Sequence, residues 1–295
     1  MNNITLKQLR VFVAITQHHT LTKASEKLYL SKAAVSMALS ELEKQLGHTL
    51  FDRANNRLIL NQEGQKLLPL ADELVCRSTN IEDLFNSDTE LSGTLKIGAS
   101  DTIGNQLLPF MLSHFRRKTQ HRSQSVFISN TAEICQKLSD YELDIALIEG
   151  EAQHPELLAS RFSQDEMCII CPPEHELAGT DLHALSELEN QDWILRESGS
   201  GTREFFLTVV ASQLVSWREG FRLNTTEALI NSVSAGLGFS CISKLSADSA
   251  IREGRIQQVG VPIDMKREFW LLLHKEKYRS PLIQSFVRHC ENRPV

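Results

Sequence analysis

The sequence predicts an α/β protein that consists of a small helical module with a hairpin, one long helix and a larger α/β body. Within the first sixty residues, apolar side chains recur at the three-and-four spacing of amphipathic helices. From residue 93 onward, short apolar runs typical of strands alternate with helical segments. Because 295 residues exceed the usual size of a single core, we expect more than one domain.

Three helices are predicted in the N-terminal module. The apolar face of the first consists of Leu6, Leu9, Phe12 and Val13. Thr20 is a suitable N-cap for a short second helix, LTKASEKL. Ser31 plays the same role for a third helix, KAAVSMALSELEKQLG, which Gly47 ends. Since only the turn YLSK separates the last two, the pattern indicates a helix-turn-helix.

The third helix has two faces of different character. Its buried stripe is predicted to consist of Val35, Leu39, Leu42 and Leu46. Small or short side chains on the other side would let the helix enter a DNA major groove. The side chains predicted to lie at the DNA are Thr22, Ser31, Lys32, Ala33, Ser36, Met37 and Ser40.

A hairpin is predicted directly after these helices, in the segment LFDRANNRLIL. Arg53 and Arg57 flank its turn and Asn55 and Asn56 form it, so these side chains could reach phosphate or the minor groove. The hairpin completes a winged helix-turn-helix over residues 1–61. The alternative, a three-helix bundle with an incidental hairpin, is disfavoured by the order of cap, turn and hairpin.

Charge is distributed unevenly along the chain. Residues 1–61 carry eight basic and four acidic side chains, a net charge of +4, which leaves −10 for the rest of a chain whose total is −6. A basic module on an acidic body suits a protein that binds DNA with one end and holds its other end away from it.

A linker helix is predicted over about residues 62–86, capped by Asn61, within a linker segment 62–90. Its heptad-like seam consists of Leu67, Ala71, Leu74, Ser78, Ile81 and Phe85. Pro69 is expected to kink or interrupt the helix, because proline removes a backbone donor. The seam predicts dimerisation, which would pair two half-sites on DNA. The alternative is a helix packed on its own body.

The body beyond the linker contains eight predicted strands and five predicted helices. The strands are TLKIGAS, SVFIS, LDIALIEG, MCIICPP, DWILRE, FRLN, FSCIS and EFWLLLHK. The helices lie near 105–118 and 131–141, and at TREFFLTVVASQL, TEALINSVSAGLG and SPLIQSFVRHCEN.

Two loops in the body, 100–104 and 197–202, follow strands and open helices. Both present hydroxyls and backbone amides at helix N-termini, where anions are favoured. Open α/β sheets bind ligands beyond the carboxyl ends of their strands, so we expect both loops at a cleft. Plain helix capping is the alternative. The residues predicted to contact a small anion are Ser100, Thr102, Arg196, Ser198, Ser200, Gly201, Thr202, Arg203 and Thr226.

Glu149 ends a predicted strand at the same edge of the sheet. A carboxylate there would repel a dianion unless it is protonated or paired with arginine. It could therefore select a protonated or monoanionic ligand, and we include it among the effector-binding residues. The alternative is a surface or salt-bridged glutamate.

The six cysteines, at positions 76, 135, 168, 171, 241 and 290, are too scattered for a disulfide scaffold and are expected to be reduced. Cys168 and Cys171, with His175 nearby, form the one pattern that suggests zinc or thiol chemistry. The predicted strand around them would put the two sulfurs on opposite faces. We therefore expect buried cysteines and no metal site.

Other classes of protein find little support. The chain has no HExxH, GxSxG or GxxxxGK motif, and Ser198 and Ser200 have no histidine nearby in sequence, so we expect no enzyme. No apolar run approaches a membrane span and the N-terminus lacks a signal-peptide core. A cytoplasmic protein without a membrane partner is expected.

The segments LKQLRVFVAI, TLTKASEKLYLSKAAVSMALSELEKQLG and LFDRANNRLILNQEG resemble, in this order, the LysR-type transcriptional regulators. The resemblance covers essentially the whole chain and implies partners: promoter DNA, RNA polymerase and further copies of itself in a homodimer or homotetramer. It implies a small-molecule effector and no cofactor. Lys32-Ala33 stand where the family often has Gln-Pro, and Met37 replaces a larger polar or basic residue, so operator preference does not carry over.

The resemblance also implies a two-lobed effector domain over 91–295, similar to periplasmic solute-binding proteins. Lobe I would comprise 93–162 and 268–295, and lobe II 163–267. The segments ASDTIGNQLLP, IEG, WILRESGSGTRE and GLGFSCIS look like the branch of sulfur-metabolism and carbon-fixation regulators, most of all the sulfite-responsive YeiE-type regulators. That likeness implies sulfite or a related oxyanion as effector.

Two alternatives to an oxyanion effector stay open at this point. One is a small organic carboxylate in the same cleft. The other is thiol oxidation at Cys168 and Cys171, as in the peroxide-sensing members of the same broad family. The redox hypothesis predicts that cysteine substitutions abolish the response, whereas the anion hypothesis predicts that substitutions of Ser100, Thr102 or Thr202 do so.

Overall fold

The computed structural model describes residues 4–54, 57–84, 91–150 and 154–292. The N-terminal module has the three predicted helices, α1 (Leu6–His18), α2 (Leu21–Leu28) and α3 (Lys32–Leu46). Thr20 and Ser31 accept hydrogen bonds from the backbone N–H groups of Lys23 and Ala34, and Gly47 ends α3 in the left-handed conformation. The predicted caps are therefore confirmed.

The predicted hairpin consists of β1 (Phe51–Ala54) and β2 (Arg57–Leu60), which pair in antiparallel register. Its buried side chains, Phe51 and Leu58, join the apolar core formed by the three helices. The winged helix-turn-helix is therefore confirmed. Asn55 and Asn56, at the predicted turn, lie outside the described residues.

The linker is a single helix, α4 (Gln62–Leu84), whose first turn is capped by the Asn61 side chain. Of the two effects predicted for Pro69, a kink or an interruption, the interruption does not occur, because α4 continues through this residue. Leu68 and Ala71, on either side of Pro69, are buried in the core shared with α1. We infer that this packing offsets the missing backbone hydrogen bond.

The predicted seam of α4 divides into two parts. Leu67 and Ala71 pack into the core of the winged module, whereas Leu74 and Ile81 expose 52% and 61% of their surface. Phe85 lies outside the described residues. The first residues of the seam thus pack within the chain, whereas Leu74 and Ile81 leave apolar surface exposed. Neither α4 nor any other helix in the described ranges is long and apolar enough to cross a membrane.

The body contains nine strands in the described ranges: β3 (Leu95–Ser100), β4 (Gln124–Ser129), β5 (Ile145–Glu149), β6 (Leu157–Cys171), β7 (Asp192–Arg196), β8 (Arg218–Leu223), β9 (Ser240–Ser243), β10 (Gln257–Val259) and β11 (Lys266–His274). Its α-helices are α5 (Leu108–Thr119), α6 (Thr131–Ser139), α7 (Gly201–Phe205), α8 (Thr226–Ser234), α9 (Lys244–Arg252) and α10 (Pro281–Glu291).

One seven-stranded sheet joins two lobes through the long strand β6. The first part of β6 pairs with β11, which pairs in turn with β5, and β5 lies beside β3 and β4. The last residues of β6 pair with β9 and β10 instead. Phe115 and Phe286 lie in the core of the first lobe, and Trp193 and Phe206 in that of the second. The two-lobed domain predicted from sequence is confirmed.

Four parts of the body differ from the predictions. Strand β6 begins at Leu157, about ten residues before the predicted strand MCIICPP, because its first half is largely exposed and lacks an apolar run. Helix α9 and strand β10 were not predicted. The segment 100–104 is not a loop, since helical structure starts at Asp101, directly after β3.

Candidate functional site

The face of α3 predicted to contact DNA is exposed to solvent. Met37 exposes 64% of its surface, whereas Val35 and Leu42 on the opposite face are buried. Exposed residues at the same surface are Thr22, Ser31, Lys32, Ala33, Ser36 and Ser40. Arg53 and Arg57 are exposed on the two strands of the wing. The geometry permits the predicted contacts with the major groove and the phosphate backbone.

Three buried charged side chains meet where the two lobes join. Arg267, at the start of β11, lies between Glu149 at the end of β5 and Asp165 on β6. Its Nη1 is 3.1 Å from Glu149 Oε2 and its Nη2 is 2.6 Å from Asp165 Oδ2. Sequence reasoning missed Arg267 and Asp165, because both lie within long strands where no motif marks them.

Hydroxyl and amide groups complete the coordination of Glu149. Its carboxylate accepts hydrogen bonds from the Thr102 backbone N–H at 2.7 Å and from Thr202 Oγ1 at 3.0 Å. Arg267 also donates to the hydroxyl oxygens of both threonines, at 3.2 Å and 3.1 Å. Donors from both predicted anion-binding segments thus surround one carboxylate.

Gly201 makes this approach of the two lobes possible. A Cβ atom built on Gly201 would lie 2.3 Å from the carbonyl oxygen of Glu149, a distance that no side chain allows. Only glycine therefore lets the start of α7 lie against the end of β5.

The two carboxyl groups beside Arg267 differ in acidity. Burial acts to raise the pKa of Glu149, but the Arg267 guanidinium and the hydrogen bonds from Thr102 and Thr202 hold it below its ordinary value. For Asp165 burial prevails, and its pKa is raised despite Arg267 and the hydrogen bond from Ser243. Glu149 is thus a buried, salt-bridged carboxylate that keeps its charge.

The predicted serines occupy three different environments. Ser100 is 1% exposed, and its hydroxyl has no hydrogen-bond partner among the described residues. Ser200 is also buried, and its side chain does not cap α7. Ser198 is exposed. The Ser100 hydroxyl is therefore available to donate a hydrogen bond to a ligand. A buried hydroxyl without a partner lowers the stability of the folded protein by about 1–3 kcal/mol.

A second charged cluster joins the lobes around Arg196. Its Nη1 lies 3.1 Å from Asp101 Oδ2 and donates to Thr226 Oγ1 at 3.3 Å, while its Nε lies 2.8 Å from Glu197 Oε2. Since Asp101 follows β3 and Arg196 ends β7, this ion pair holds the two lobes together.

Arg203 is engaged within the second lobe. It donates to the Arg196 carbonyl oxygen at 3.1 Å and lies 2.7 Å from Glu219 Oε2. Hydrogen bonds from Arg203 and Arg222 lower the pKa of Glu219 to about 2. The structure thus places Arg203 between β7 and β8, where its charge is paired with Glu219.

Both cleft segments continue into a π-helical turn, Ile103–Leu107 in the first lobe and Phe206–Val210 in the second. Such turns are rare and frequently occur at functional sites. Their presence at corresponding places in the two lobes supports the cleft as the candidate ligand-binding site.

Cys168 and Cys171 lie in different apolar clusters, on opposite sides of β6. Burial raises the pKa of both thiols, to about 11 for Cys171. Since the thiolate is the reactive form of cysteine, these surroundings disfavour thiol chemistry.

A winged helix-turn-helix on a two-lobed domain with a polar cleft defines a ligand-responsive DNA-binding regulator. The model of the bacterial regulatory helix-turn-helix protein, lysR family, matches residues 6–65, and the model of the LysR substrate binding domain matches residues 88–294. The chain belongs to the LysR family of DNA-binding transcriptional regulators.

Similar proteins agree with this assignment. The chain is 35% identical to the HTH-type transcriptional regulator YeiE of Escherichia coli K12 over 98% of each chain. It is 32% identical to the HTH-type transcriptional regulator CysL of Bacillus subtilis, over 80% of this chain and 79% of that protein. A full-length OxyR variant from Pseudomonas aeruginosa shares the fold, with a TM-score of 0.74 at 21% identity over 98% of this chain and 95% of that one. The protein is a regulator and not an enzyme.

Proposed function

We propose that this regulator senses a small oxyanion, sulfite or a close relative of it, in the cleft between its lobes. The supporting observation is that Thr102, Thr202 and Arg267 already coordinate one oxyanion, the carboxylate of Glu149. The free hydroxyl of Ser100 would add a further donor. Backbone and hydroxyl donors at helix N-termini, combined with a guanidinium, suit a compact oxygen-bearing anion.

The charge balance of the cleft favours a ligand of low charge. Arg267 faces two carboxyl groups, those of Glu149 and Asp165, so a dianion would meet repulsion. Sulfite takes up a proton far more readily than sulfate does. Selection for the protonated oxyanion would therefore distinguish the two.

We further propose that the active form is a dimer or tetramer that binds promoter DNA and contacts RNA polymerase. The exposed stripe of Leu70, Leu74 and Ile81 on α4 would supply an apolar contact between copies. The anion would act by binding one arrangement of the lobes and DNA-binding modules more tightly than another. We place lobe I at 93–162 with 268–295 and lobe II at 163–267.

A small organic carboxylate is the second candidate effector. One observation favours it: the group that accepts hydrogen bonds from Thr102, Thr202 and Arg267 in the structure, the side chain of Glu149, is itself a carboxylate. The response to a series of anions separates the two candidates.

The test is a thermal-shift series of the purified protein with sulfite, sulfate, thiosulfate, phosphate and small carboxylates, since a ligand that binds only the native state raises its melting temperature. We expect a rise with sulfite that Ser100→Ala and Thr202→Ala abolish, whereas any rise with phosphate that arises outside the cleft should persist in these variants. Thr208→Ala is the matched control, because Thr208 is exposed and bonds only to its own helix. A rise with carboxylates alone would support the second candidate, and no rise with any anion would contradict both.

A further inference from the structure

A cavity of about 380 Å³ lies between the winged module, the linker helix and the effector domain. Its volume is in the range of small-molecule sites. The charged residues that line it are Arg10, Lys27, Asp72, Lys96, Asp144 and Lys277. Four positive charges therefore face two negative ones, and they come from all three parts of the chain.

Two of the four cations are already paired. Lys277 Nζ lies 3.6 Å from Asp72 and 3.4 Å from Asp144, so it connects the linker helix to the effector domain. Arg10 Nη2 lies 2.7 Å from Glu82. Both carboxylates that line the cavity, those of Asp72 and Asp144, thus pair with Lys277.

The other two cations, Lys27 and Lys96, have no carboxylate within ion-pair distance in the described part of the chain. Lys27 is exposed on α2, and Lys96 is partly buried on β3. Burial lowers the pKa of Lys96, and the positive charges of Lys277 and Lys27 add to this effect against the attraction of Asp144 and Asp72. The two carboxylates of the cavity are thus in ion-pair contact with Lys277, and the ammonium groups of Lys27 and Lys96 make no ion pair among the described residues.

We propose that this cavity is a second anion site, which takes the phosphate group of a small molecule between Lys27 and Lys96. Lysine binds phosphate as a point charge, and the cavity has room for more than the phosphate itself. Because Lys27 belongs to the winged module and Lys96 to the effector domain, a bound phosphate joins the two. Its binding is thus linked to the position of the DNA-binding module on the effector domain.

The test is isothermal titration calorimetry of the full-length protein at neutral pH, with inorganic phosphate and pyrophosphate as probes. We expect one binding event that Lys27→Gln and Lys96→Met each weaken about tenfold or more, as expected for loss of a charge-assisted contact. Thr202→Ala, in the cleft between the lobes, should leave this event unchanged. Lys118→Gln is the matched charge control, since Lys118 is exposed on α5.

Three results would overturn the proposal: no binding of either probe, equal weakening by Lys118→Gln, or loss of the event in Thr202→Ala. The last would assign the phosphate to the cleft between the lobes. Lys27→Gln keeps the test decisive if Lys96→Met does not fold, because an exposed side chain contributes little to stability. Lys96→Arg should fold and retain binding.

Discussion

Glu149 and Arg267 form a buried ion pair, with Glu149 Oε2 3.1 Å from Arg267 Nη1. Such a pair contributes little net stability, because both ions lose their hydration, but removal of one partner leaves an uncompensated buried charge. Here the arginine serves two carboxyl groups, since Asp165 shares it. The integrity of the cleft therefore depends on one cation.

Arg267→Met is expected to destabilise the protein by about 3–5 kcal/mol, since it leaves Glu149 and Asp165 buried without a cation. Urea denaturation at neutral pH measures this free energy of unfolding. Arg161→Met is the control, because Arg161 is mostly exposed and lies 3.6 Å from Glu268; its loss should cost less than about 1 kcal/mol. Equal effects of the two substitutions would contradict the central role of Arg267.

The stability contributed by Glu149 should depend on pH. Its pKa in the folded protein is lowered from the ordinary value of 4.5, so this contribution is present above pH 4.5 and is lost as pH falls through the folded pKa. We expect the free energies of unfolding of the wild type and of Glu149→Gln to converge below pH 4.5. The exposed Glu174→Gln should show no such convergence, and a pH-independent gap for Glu149→Gln would refute the prediction.

Tyr141→Phe is expected to raise stability slightly, by up to about 1 kcal/mol. Tyr141 is 2% exposed in the core of the winged module, and its hydroxyl has no partner among the described residues. Tyr141→Ala should cost about 3–5 kcal/mol, because it opens a cavity. Thermal and urea unfolding measure both values. A loss of more than 1 kcal/mol in Tyr141→Phe would show that the hydroxyl is hydrogen-bonded.

Lys32→Gln should weaken binding to all DNA sequences and reduce the salt dependence of the affinity. One lost phosphate contact lowers the slope of log affinity against log salt by about 0.9. Fluorescence anisotropy with a duplex selected from a random library measures the slope between low and moderate salt. Lys118→Gln, on the effector domain, should leave it unchanged, and an unchanged slope in Lys32→Gln would place Lys32 away from the phosphates.

The double variant Cys168→Ala and Cys171→Ala should keep the response to sulfite in the thermal-shift assay. The two thiols are buried in separate apolar clusters, and burial raises the pKa of each, so neither forms a reactive thiolate readily. The melting temperature itself is expected to fall, because two core side chains become smaller. Loss of the sulfite shift in a folded variant would revive the thiol hypothesis.

Local patterns in the sequence suffice for the winged module. The caps at Thr20 and Ser31 and the stop at Gly47 depend only on neighbours within four residues, and each lies where it was predicted. The same holds for the hairpin and for the strands that carry Ser100 and Glu149. Because these signals are local, one sequence is enough to predict these elements, whereas the two-lobed arrangement of the effector domain was implied by the resemblance to the LysR-type regulators.

Tertiary structure decided what the local patterns do not encode. Arg267 and Glu149 are 118 residues apart in sequence, and only the pairing of β11 with β5 brings them together. The continuation of α4 through Pro69 likewise depends on packing against α1. Long-range contacts determine which side chains pair, how deeply they are buried and how acidic their carboxyl groups are. They therefore determine that Glu149 is salt-bridged to Arg267 and that Arg203 is paired with Glu219.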